Sequence, residues 1–326
     1  MRTSDSLDIV IPAYKGRFLP ALLESLAHQS SKDFSVIVCD DASPEPLEPL
    51  CETFLDRLPI RYVRFDRNLG ATDLAGHWNR SVALSGARWV LVPGDDDALE
   101  ENCVESFRRT LAACCGKFDV YSFGVRVIDE HDVIVRDGIP AAATACAAQY
   151  LRQRLADEIY AVPAAHVFRR QTFQALGGFV SFDSGWHSDD ATWALLGARH
   201  GIQPIEDACI RWRTSSINLT PAMLLDGLRC AQATVAFLSW LLANRSQLAL
   251  TESDIRELTD EFLCWPLYAG MADASPRAWA GAAWRTARLL QRHSAQSLAR
   301  HLFRFARARA RAARRSASIP PRPARP

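Results

Sequence analysis

The chain has 326 residues, of which 48% are hydrophobic and 23% charged, values that are ordinary for a globular protein with a large core. Its longest apolar run lies within residues 231–243, which include Gln232, and is too short to span a bilayer, which argues against a transmembrane helix. The net charge of +1 conceals an asymmetry, because all 37 acidic residues lie at or before Asp273 and 13 arginines follow it. We therefore expect an acidic body and a basic arm that has an anionic partner.

The amino terminus and the cysteines indicate the compartment. Residues 1–5 lead directly into a predicted strand, so no signal peptide is expected. The nine cysteines lack Cys-x-x-Cys and Cys/His metal spacing, which indicates reduced thiols in a cytosolic protein.

Strands and helices alternate through the first third of the chain. Apolar runs predict strands at residues 7–12, 34–39, 60–65 and 89–92. Helical spacing predicts helices at residues 18–28, 47–58, 72–85 and 99–114. This alternation predicts a parallel sheet with helices on both faces, and ligands of such sheets bind at the carboxyl ends of the strands.

The pattern changes after Phe118. Strands are predicted at 120–128, 164–168 and 205–212, a loop at 138–148, and helices at 171–176 and from an opening at 186–190 to about 200. Beyond Pro221 the chain is expected to be helical, with segments near 223–243, 253–269 and 277–313, and a Pro-rich disordered end.

Three consecutive carboxylates follow the predicted strand at 89–92, in the sequence Gly94-Asp95-Asp96-Asp97. Carboxylates at the end of a buried strand repel one another unless a cation neutralises them. Their hard oxygen ligands suit Mg²⁺ or Mn²⁺, which in turn suits a diphosphate. A polar loop that caps the following helix is an equal alternative on these residues alone.

Two acidic pairs stand at other element ends. Asp40-Asp41 closes the second predicted strand, where a simple turn is the alternative. Asp189-Asp190 opens a predicted helix, where helix capping is the alternative. Trp186 precedes this pair and has the shape to stack on a sugar ring or to pack in the core.

Several segments together resemble family 2 glycosyltransferases with the GT-A fold. They occur in the family's order over residues 7–215: residues 9–14, 34–43, Asn79, 89–102, 177–179 and 188–193. The Gly-Asp-Asp-Asp and Ser-Asp-Asp-Ala-Thr-Trp forms are similar to bacterial surface-polysaccharide enzymes of that family. The resemblance implies a mostly parallel sheet flanked by helices, followed by a helical extension outside the resemblance.

The resemblance also implies a nucleotide-sugar site. Pro12, Ala13 and Tyr14 would line the nucleotide, and Asp41 would hydrogen-bond the base. Asn79 matches a recurrent asparagine in the donor site, although Trp78 stands where the family commonly has a basic residue.

The resemblance implies a different role for each acidic cluster. Asp96 would be the main ligand of a divalent metal, Mn²⁺ or Mg²⁺, with Asp97 as a further ligand. Asp95 would contact the ribose, or the metal through water. Asp190 would be the general base of an inverting transfer, with Asp189 before it. Gly94 departs from the commoner family form, which has Asp there.

Two arginines near the end of this region have alternative roles. Arg211 and Arg213 follow the helix of the expected base, where the family often has a basic or His residue that meets the diphosphate. Alternating arginines on an edge strand are the simpler interpretation, and we favour it slightly.

The basic arm has the pattern of an amphipathic helix. Leu298, Leu302 and Phe305 fall on one side of a helical wheel, and five arginines fall opposite: Arg300, Arg304, Arg307, Arg311 and Arg314. Such helices lie on anionic lipid surfaces. The resemblance implies that this surface is the inner membrane, so we expect peripheral attachment there. Packing against the acidic body is the alternative, and no nucleic-acid module is recognisable.

The sequence thus predicts a GT-A domain at residues 1–220, a helical region at 221–315 and a disordered tail at 316–326. The expected function is metal-dependent transfer of a sugar from a nucleotide-sugar donor to a glycan, on a lipid-linked oligosaccharide in bacterial surface-polysaccharide biosynthesis. A sugar-1-phosphate nucleotidyltransferase is disfavoured because residues 12–17 contain one glycine where that class has a Gly-rich basic loop. A catalytically inactive binding scaffold at the membrane is the other alternative.

Overall fold

A computed structural model of the chain describes residues 5–217 and 227–262. Contacts between Cα atoms divide the chain into two units, Met1–Ile217 with Ser246–Leu250, and Asn218–Arg245 with Thr251–Pro326. The helix predicted at 277–313, the predicted tail and the end of the helix predicted at 253–269 lie outside the described residues.

One mixed sheet forms the centre of the first unit. Its nine strands, all within the described residues, are β1 (Leu7–Ala13), β2 (Ser35–Asp40), β3 (Ile60–Arg64), β4 (Trp89–Leu91), β5 (Ala98–Leu99), β6 (Val120–Ile128), β7 (Ile134–Ile139), β8 (His166–Arg169) and β9 (Gln203–Arg213).

Helices connect these strands. In the first unit they are α1 (Leu19–Ala27), α2 (Leu47–Glu52), α3 (Leu74–Val82), α4 (Cys103–Ala113), α5 (Ala147–Leu155), α6 (Arg170–Ala175) and α7 (Ser188–Gly197). Short 3₁₀ turns lie at Pro163–Ala165 and Asp183–Gly185.

The sheet has the order β3-β2-β1-β4-β8-β6-β9-β5, with β7 paired to β6. β1 runs parallel to β2 and β4, and β2 runs parallel to β3. β8 is antiparallel to both β4 and β6, whereas β6 and β9 are parallel. The parallel sheet expected from the sequence is therefore confirmed for the first four strands, which the antiparallel β8 joins to the rest.

Helices cover the sheet on both faces. Ile9 and Ile11 of β1 pack in a core with residues of α1, α2 and α4, and Val10 between them is buried on the other face, because side chains alternate along a strand. α1 shows the expected period, with Leu19, Leu22, Leu23 and Leu26 all completely buried. Each such leucine contributes roughly 2 kcal/mol of hydrophobic stabilisation.

Several predicted elements differ from the structure; the helix predicted at 47–58, for example, ends at Glu52, and β7 was not predicted. The helix predicted at 99–114 begins instead at Cys103, because Ala98 and Leu99 pair with β9 in an antiparallel bridge. The loop predicted at 138–148 is shorter, because β7 ends at Ile139 and α5 begins at Ala147. The pairing of Ala98 and Leu99 with β9 delays the start of the helix. The start of α5 at Ala147 shortens the loop.

The second unit contains α8 (Gly227–Ala243) and α9 (Glu252–Phe262) among its described residues. No helix in the described part of the chain is long and apolar enough to cross a membrane. All eight described cysteines are free thiols, as expected from their spacing.

Candidate functional site

The carboxyl ends of β1, β2 and β4 lie side by side, because these strands are parallel neighbours. Asp95 Oδ2 accepts hydrogen bonds from the backbone N–H groups of Tyr14 and Lys15, each at 2.7 Å. The backbone N–H of Asp41 donates to the carbonyl of Ala13 at 2.8 Å. Hydrogen bonds therefore join the three strand ends into one polar region.

The segment predicted to line a nucleotide changes from buried to exposed along its length. Ala13 is fully buried, Pro12 is half-buried, and Tyr14 has 38% of its surface exposed. Ser43 Oγ donates to the carbonyl of Tyr14 at 2.7 Å and fixes the backbone there. The exposed ring of Tyr14 is the part of this segment that a ligand can reach.

The three carboxylates after β4 have different surroundings. Asp97 Oδ2 accepts from the Gly94 N–H at 2.8 Å, and its Oδ1 lies 3.4 Å from the Arg213 backbone N. Asp96 is half-buried, and no other residue in the described ranges donates a hydrogen bond to its carboxylate. A Cβ at Gly94 would lie 2.9 Å from Asp96 Oδ1 and 3.2 Å from Asp97 Oδ2. Both carboxylates thus converge over Gly94, which explains a glycine at this position.

Negative charge in this cluster is poorly compensated. Burial, and next the charge of Asp96, raise the pKa of Asp95 to about 7 and hold the pKa of Asp97 well above its usual range. Burial also raises the pKa of Asp96, against the opposing charges of Lys15 and Arg213. A bound cation would relieve this repulsion and restore all three carboxylates to their ionised form.

The carboxylate oxygens fit a hard divalent ion whose coordination is completed by the oxygens of a phosphate group. No group of three His, Cys, Asp or Glu side chains in the described residues is arranged to hold a metal by itself. Mg²⁺ sites commonly use one or two carboxylates, with water and substrate phosphates as the other ligands. Asp96 and Asp97 match that type of site, whereas one oxygen of Asp95 is already occupied by two N–H groups.

A fully buried arginine supports the cluster from the protein side. Arg213 Nε donates to the carbonyl of Asp96 at 2.8 Å. Its Nη1 donates to the carbonyl of Asp129 at 2.8 Å, and its Nη2 to Asp132 Oδ1 at 2.6 Å. Arg213 therefore ties the acidic loop to the turn between β6 and β7, while Arg211 of the same strand is exposed. These contacts make Arg213 a positioning residue for the cluster.

The pair after β2 is buried and extensively hydrogen-bonded. Asp41 accepts from the N–H groups of Leu69 at 2.9 Å and Gly70 at 2.8 Å, and also from the guanidinium of Arg80. Asp41 thereby holds the loop before α3. The hydrogen bond between Asp41 and a nucleobase stays a prediction. The carboxylate has one lone pair left to accept it.

Asp40 has a separate network. Its Oδ1 accepts from the Ser43 N–H at 2.7 Å, and its Oδ2 accepts from Tyr62 Oη and from Arg64 Nη1, the latter at 2.5 Å. Burial, and next the hydrogen bond to Asp40, raise the pKa of Tyr62, which keeps its hydroxyl as a donor. Asp40 thus shapes the end of β2 from inside the fold.

Two residues of α3 that were not predicted as site residues flank Asp41. The Arg80 guanidinium stacks over Phe65, 3.8 Å from the ring centroid, and His77 Nδ1 lies 3.4 Å from Asp41 Oδ1. Burial is the main cause that lowers the pKa of His77 to about 4, so its ring is neutral at pH 7. The three-residue spacing of His77 and Arg80 places them on one helix face, and this is the signal that could have identified them.

Asn79 connects α3 to the segment that leads into α7. Its Nδ2 donates to the Phe179 carbonyl at 3.0 Å, and its Oδ1 accepts from the Phe179 N–H at 2.7 Å. Gly178, with a φ of +85°, lies so close that a Cβ there would be 2.4 Å from Asn79 Oδ1. The amide of Asn79 thus positions the Gly-Gly-Phe turn, and its predicted donor contact stays a prediction.

The second acidic pair lies at the first turn of α7. Asp190 is 2% exposed, and its Oδ1 accepts from Arg154 Nε at 3.0 Å. His187 Nδ1 donates to Asp190 Oδ2 at 2.7 Å. Asp189 Oδ1 accepts from the Asp190 N–H at 2.9 Å. His187 has a left-handed φ of +66°, which turns the chain so that its ring faces Asp190.

The two carboxyl groups of this pair have opposite pKa shifts. Burial alone would raise the pKa of Asp190, but the Arg154 charge and the His187 hydrogen bond together lower it below its ordinary value. Burial, and next the charge of Asp190, raise the pKa of Asp189 to about 7. Asp190 is therefore a carboxylate at neutral pH.

Contacts along α3 link the two acidic regions. Gly70, which donates to Asp41, lies four residues before the start of α3. At the N-terminus of that helix, Asp73 Oδ1 accepts from Ser181 Oγ at 3.1 Å. A Cβ at Gly185 would lie 3.0 Å from the side chain of Leu74. The start of α3 thus supports both the loop around Asp41 and the turn before α7.

Comparison with known proteins gives the family. A family model described as Glycosyl transferase family 2 matches residues 8–177, more than half of the chain. Over 99 residues the chain is 35% identical to an uncharacterized glycosyltransferase of Haemophilus influenzae, covering 30% of this chain and 32% of that protein. Over 95 residues it is 33% identical to a PGL/p-HBAD biosynthesis glycosyltransferase of Mycobacterium bovis, covering 28% and 36%. The chain thus spans about a third of the length of these curated relatives.

Solved structures give the fold. The structure of TarS 1-349 of S. aureus in complex with UDP-GlcNAc superposes with a TM-score of 0.71 at 12% identity, covering 96% of this chain and 91% of that one. A mannosyltransferase from Pyrobaculum calidifontis in complex with GDP-Man and Mn²⁺ superposes with a TM-score of 0.50 at 14% identity, covering 93% and 86%. The expected GT-A fold is therefore confirmed. With more than half of its residues matched by the family model, the chain belongs to glycosyl transferase family 2.

Proposed function

We propose that this protein is an inverting, metal-dependent glycosyltransferase that moves a sugar from a nucleotide-sugar donor to a hydroxyl group of a glycan. The observation that carries the proposal is the pair of acidic clusters. One lies at the carboxyl ends of β1, β2 and β4, where ligands of α/β sheets bind. The other lies at the start of α7 and contains a buried, ionised Asp190.

The first cluster is the donor site in this proposal. The exposed Tyr14 and the ammonium group of Lys15, whose charge opposes the rise in the pKa of Asp96, offer contacts to a nucleotide and its diphosphate. Asp41, Asn79 and Asp95 remain candidates for further donor contacts. The neighbour structures with UDP-GlcNAc and with GDP-Man and Mn²⁺ support a nucleotide-sugar donor and a divalent ion.

Asp96 and Asp97 would hold the metal ion, Mn²⁺ or Mg²⁺. A divalent ion there supplies a Lewis acid that neutralises the diphosphate leaving group. Asp95 orients the loop through its hydrogen bonds to the backbone after β1. Arg213 holds the same loop through its hydrogen bond to the carbonyl of Asp96. These contacts keep the carboxylates in place before any ligand is bound.

Asp190 is the general base in this proposal. The acceptor oxygen forms a bond to the anomeric carbon, while the bond from that carbon to the diphosphate oxygen breaks and its electron pair leaves with the nucleotide. The hydroxyl proton passes to the Asp190 carboxylate. Arg154 and His187 orient this carboxylate, and a single displacement inverts the anomeric centre.

The acceptor is proposed to be a lipid-linked oligosaccharide at the inner face of the bacterial membrane. The 13 arginines after Asp273 support this location, because they give that part of the chain a positive charge that anionic lipids attract. We keep the proposed boundaries at residues 220 and 315 for the catalytic domain and the helical region.

Calorimetric titration of the full chain with UDP-, GDP-, CMP- and dTDP-sugars tests the donor site, each with and without Mn²⁺. We expect one nucleotide to bind, and only with the metal. Asp96→Asn should weaken that binding by about tenfold or more, since hydrogen-bonded or coordinated charges are worth over 1.4 kcal/mol. Asp207→Asn is the matched control, because Asp207 is an exposed carboxylate paired with Arg109.

Three other outcomes have distinct meanings. A folded protein that binds none of the sugars would contradict the proposed function. Equal binding without Mn²⁺ would contradict only the metal site. Binding of one donor, without transfer to any glycan in a broad acceptor panel, would favour the inactive scaffold over the enzyme.

A further inference from the structure

Helix α5 brings a partly exposed arginine to the proposed base. Arg154 Nε donates to Asp190 Oδ1 at 3.0 Å, and 32% of the Arg154 side chain is exposed while Asp190 is almost fully buried. Within residues 5–217 and 227–262, the Nη1 and Nη2 groups of Arg154 donate to no protein acceptor. Half of this guanidinium therefore faces the base, and the other half is available to a ligand.

Buried polar atoms without partners occur on the same helix α5 and just before α7. Tyr150 Oη and Gln153 Oε1, both on α5, are buried and make no hydrogen bond, and the same is true of Trp186 Nε1 before α7. Tyr150 lies in the field of the acidic pair, since after burial the charges of Asp190 and Asp189 raise its pKa. Native proteins leave few buried polar atoms unsatisfied, so several together indicate a polar ligand.

The chemistry of these atoms describes that ligand. A phenol hydroxyl, an amide oxygen and an indole N–H suit a hydroxyl-rich molecule, and an indole face also stacks on a sugar ring. A guanidinium with two free nitrogens binds a carboxylate or phosphate through two parallel hydrogen bonds. The combination suits a sugar or polyol that carries an anionic group.

We propose that Arg154, with Tyr150 and Gln153, forms an acceptor subsite beside Asp190 for a glycan whose reacting unit carries a carboxylate or a phosphate. This inference rests on the proposed glycosyl transfer and names the acceptor class for the same site. An acceptor anion on the Nη groups places the neighbouring hydroxyl near Asp190. It also draws part of the positive charge of Arg154 away from Asp190, which strengthens that carboxylate as a base only when a matching acceptor is present.

The groups that set the charge of Asp190 come from three elements: Arg154 and Tyr150 on α5, His166 on β8, and His187 and Asp189 around the start of α7. Burial lowers the pKa of His166 to about 4, so it is neutral at pH 7. Arg154 is the one permanent cation in this set, which makes it the group through which an acceptor anion acts.

Binding of small probes tests the subsite without knowledge of the natural acceptor. Methyl glucuronide, glycerol 1-phosphate and the neutral methyl glucoside are titrated into the full chain in the presence of its donor nucleotide and Mn²⁺. We expect one anionic probe to bind about tenfold or more tightly than the glucoside, and Arg154→Gln to abolish that preference. The two anionic probes distinguish a uronic acid from a polyol phosphate.

Controls separate recognition from folding. Arg136→Gln is the matched control, because Arg136 is an exposed arginine paired with Asp157 and does not contact Asp190. Arg154→Gln leaves Asp190 buried without its cation, which destabilises a fold. The double variant Arg154→Gln/Asp190→Asn removes both charges and should fold, and it too should bind the anionic and neutral probes equally.

Equal binding of all three probes by the wild type would overturn the inference, and so would an anionic preference that survives in Arg154→Gln. In either case an unchanged affinity for the donor nucleotide would leave the proposed function standing. Failure of the donor titration itself would instead remove the proposed function, and the anionic preference would then report a site unrelated to transfer.

Discussion

Asp189 and Asp190 are adjacent in the chain, and their surroundings favour opposite protonation states. Burial is the largest influence on both carboxyl groups. At Asp190 the charges of Arg154 and His187 outweigh burial, whereas at Asp189 the charge of Asp190 adds to it. Near pH 7 one group is ionised and the other is partly protonated, a difference that enzymes use to assign acid and base roles.

Asp189→Asn should change how stability depends on pH. The unfolded chain gives this carboxyl an ordinary pKa of about 4, and the folded chain raises it to about 7. The proton is thus bound more tightly in the folded state. The stabilisation is complete below pH 4 and is lost as the pH rises through 7. We expect the variant to be close to the wild type in stability at pH 4 and about 4 kcal/mol more stable at pH 8.

Urea unfolding at the two pH values measures this difference. Asp207→Asn serves as the control, since it too replaces a carboxylate and Asp207 is exposed. A stability gain of the same size at both pH values would contradict the electrostatic cause.

Asp190→Asn should abolish transfer and leave donor binding intact. Asparagine has the shape of aspartate and cannot take up the proton of the acceptor hydroxyl. We expect the transfer rate to fall by about 10²–10⁴-fold, the usual contribution of a general base. Nucleotide release in the presence of acceptor measures the rate, and titration measures donor affinity. Normal turnover in this variant would refute the assignment of the base.

At the scale of elements, α3 organises both halves of the site through contacts that are distant in sequence. Its residues reach the loop after β2 through Arg80 and the turn before α7 through Asn79. Asn79 and Phe179 are 100 residues apart, and both hydrogen bonds between them involve the backbone of Phe179. The position of the acidic pair on α7 therefore depends on α3.

Gly178→Ala should destabilise the turn before α7 for two separable reasons. Its φ of +85° strains a residue with a Cβ, and that Cβ would lie 2.4 Å from Asn79 Oδ1. Gly177→Ala is the matched control, because Gly177 has a φ of +93° and no atom within 4 Å of its Cβ position. We expect Gly178→Ala to cost about 1–3 kcal/mol more than the control, since it also disturbs two partly buried hydrogen bonds.

A double-mutant cycle isolates the contact with Asn79. Asn79→Ala removes the side chain that the new methyl group would overlap, so Gly178→Ala should cost less in that background. We expect an interaction energy of about 1 kcal/mol or more from thermal or urea unfolding. Fully additive effects would mean that the backbone strain at Gly178 accounts for the whole loss.

The sequence predicted those strands and helices whose apolar run or hydrophobic period was long enough to be recognised. The four parallel strands and α1 were found because each has such a pattern. β5 contains two residues, Ala98–Leu99, and its pairing with β9 leaves no periodic signal. The antiparallel direction of β8 depends on which neighbours it meets in space, and no local pattern encodes that choice.

At the scale of the whole molecule, the candidate site is partly readable because acidic residues gather at strand and helix ends. The cluster at Asp95–Asp97 and the pair at Asp189–Asp190 were found in this way. Arg154 lies 36 residues before Asp190, and nothing in its own neighbourhood indicates that contact. Acidic groups that gather at the ends of elements follow from the sequence, whereas a partner that is distant in the chain, such as Arg154, follows from the fold.

The separation of charge along the chain predicts that membrane binding depends on the charge of the lipids and on the salt concentration. Residues up to Asp273 contain 25 basic and 37 acidic residues, and the remaining residues contain 13 arginines and no acidic residue. Arginines near an anionic surface are worth about 1 kcal/mol each at low salt. We therefore expect the full chain to co-sediment with phosphatidylglycerol vesicles and not with phosphatidylcholine vesicles.

Arginine charges should be the cause of that binding. Raising the salt to about 0.5 M shortens the Debye length to a few ångströms and should release the protein. Replacement of Arg304, Arg307 and Arg311 by Gln should weaken binding to the anionic vesicles by at least about tenfold, while Arg57→Gln, Arg88→Gln and Arg136→Gln in the body should not. Binding that resists salt, or that is equal in the two triple variants, would show that the basic arm is not the attachment site, and would leave the proposed donor site unaffected.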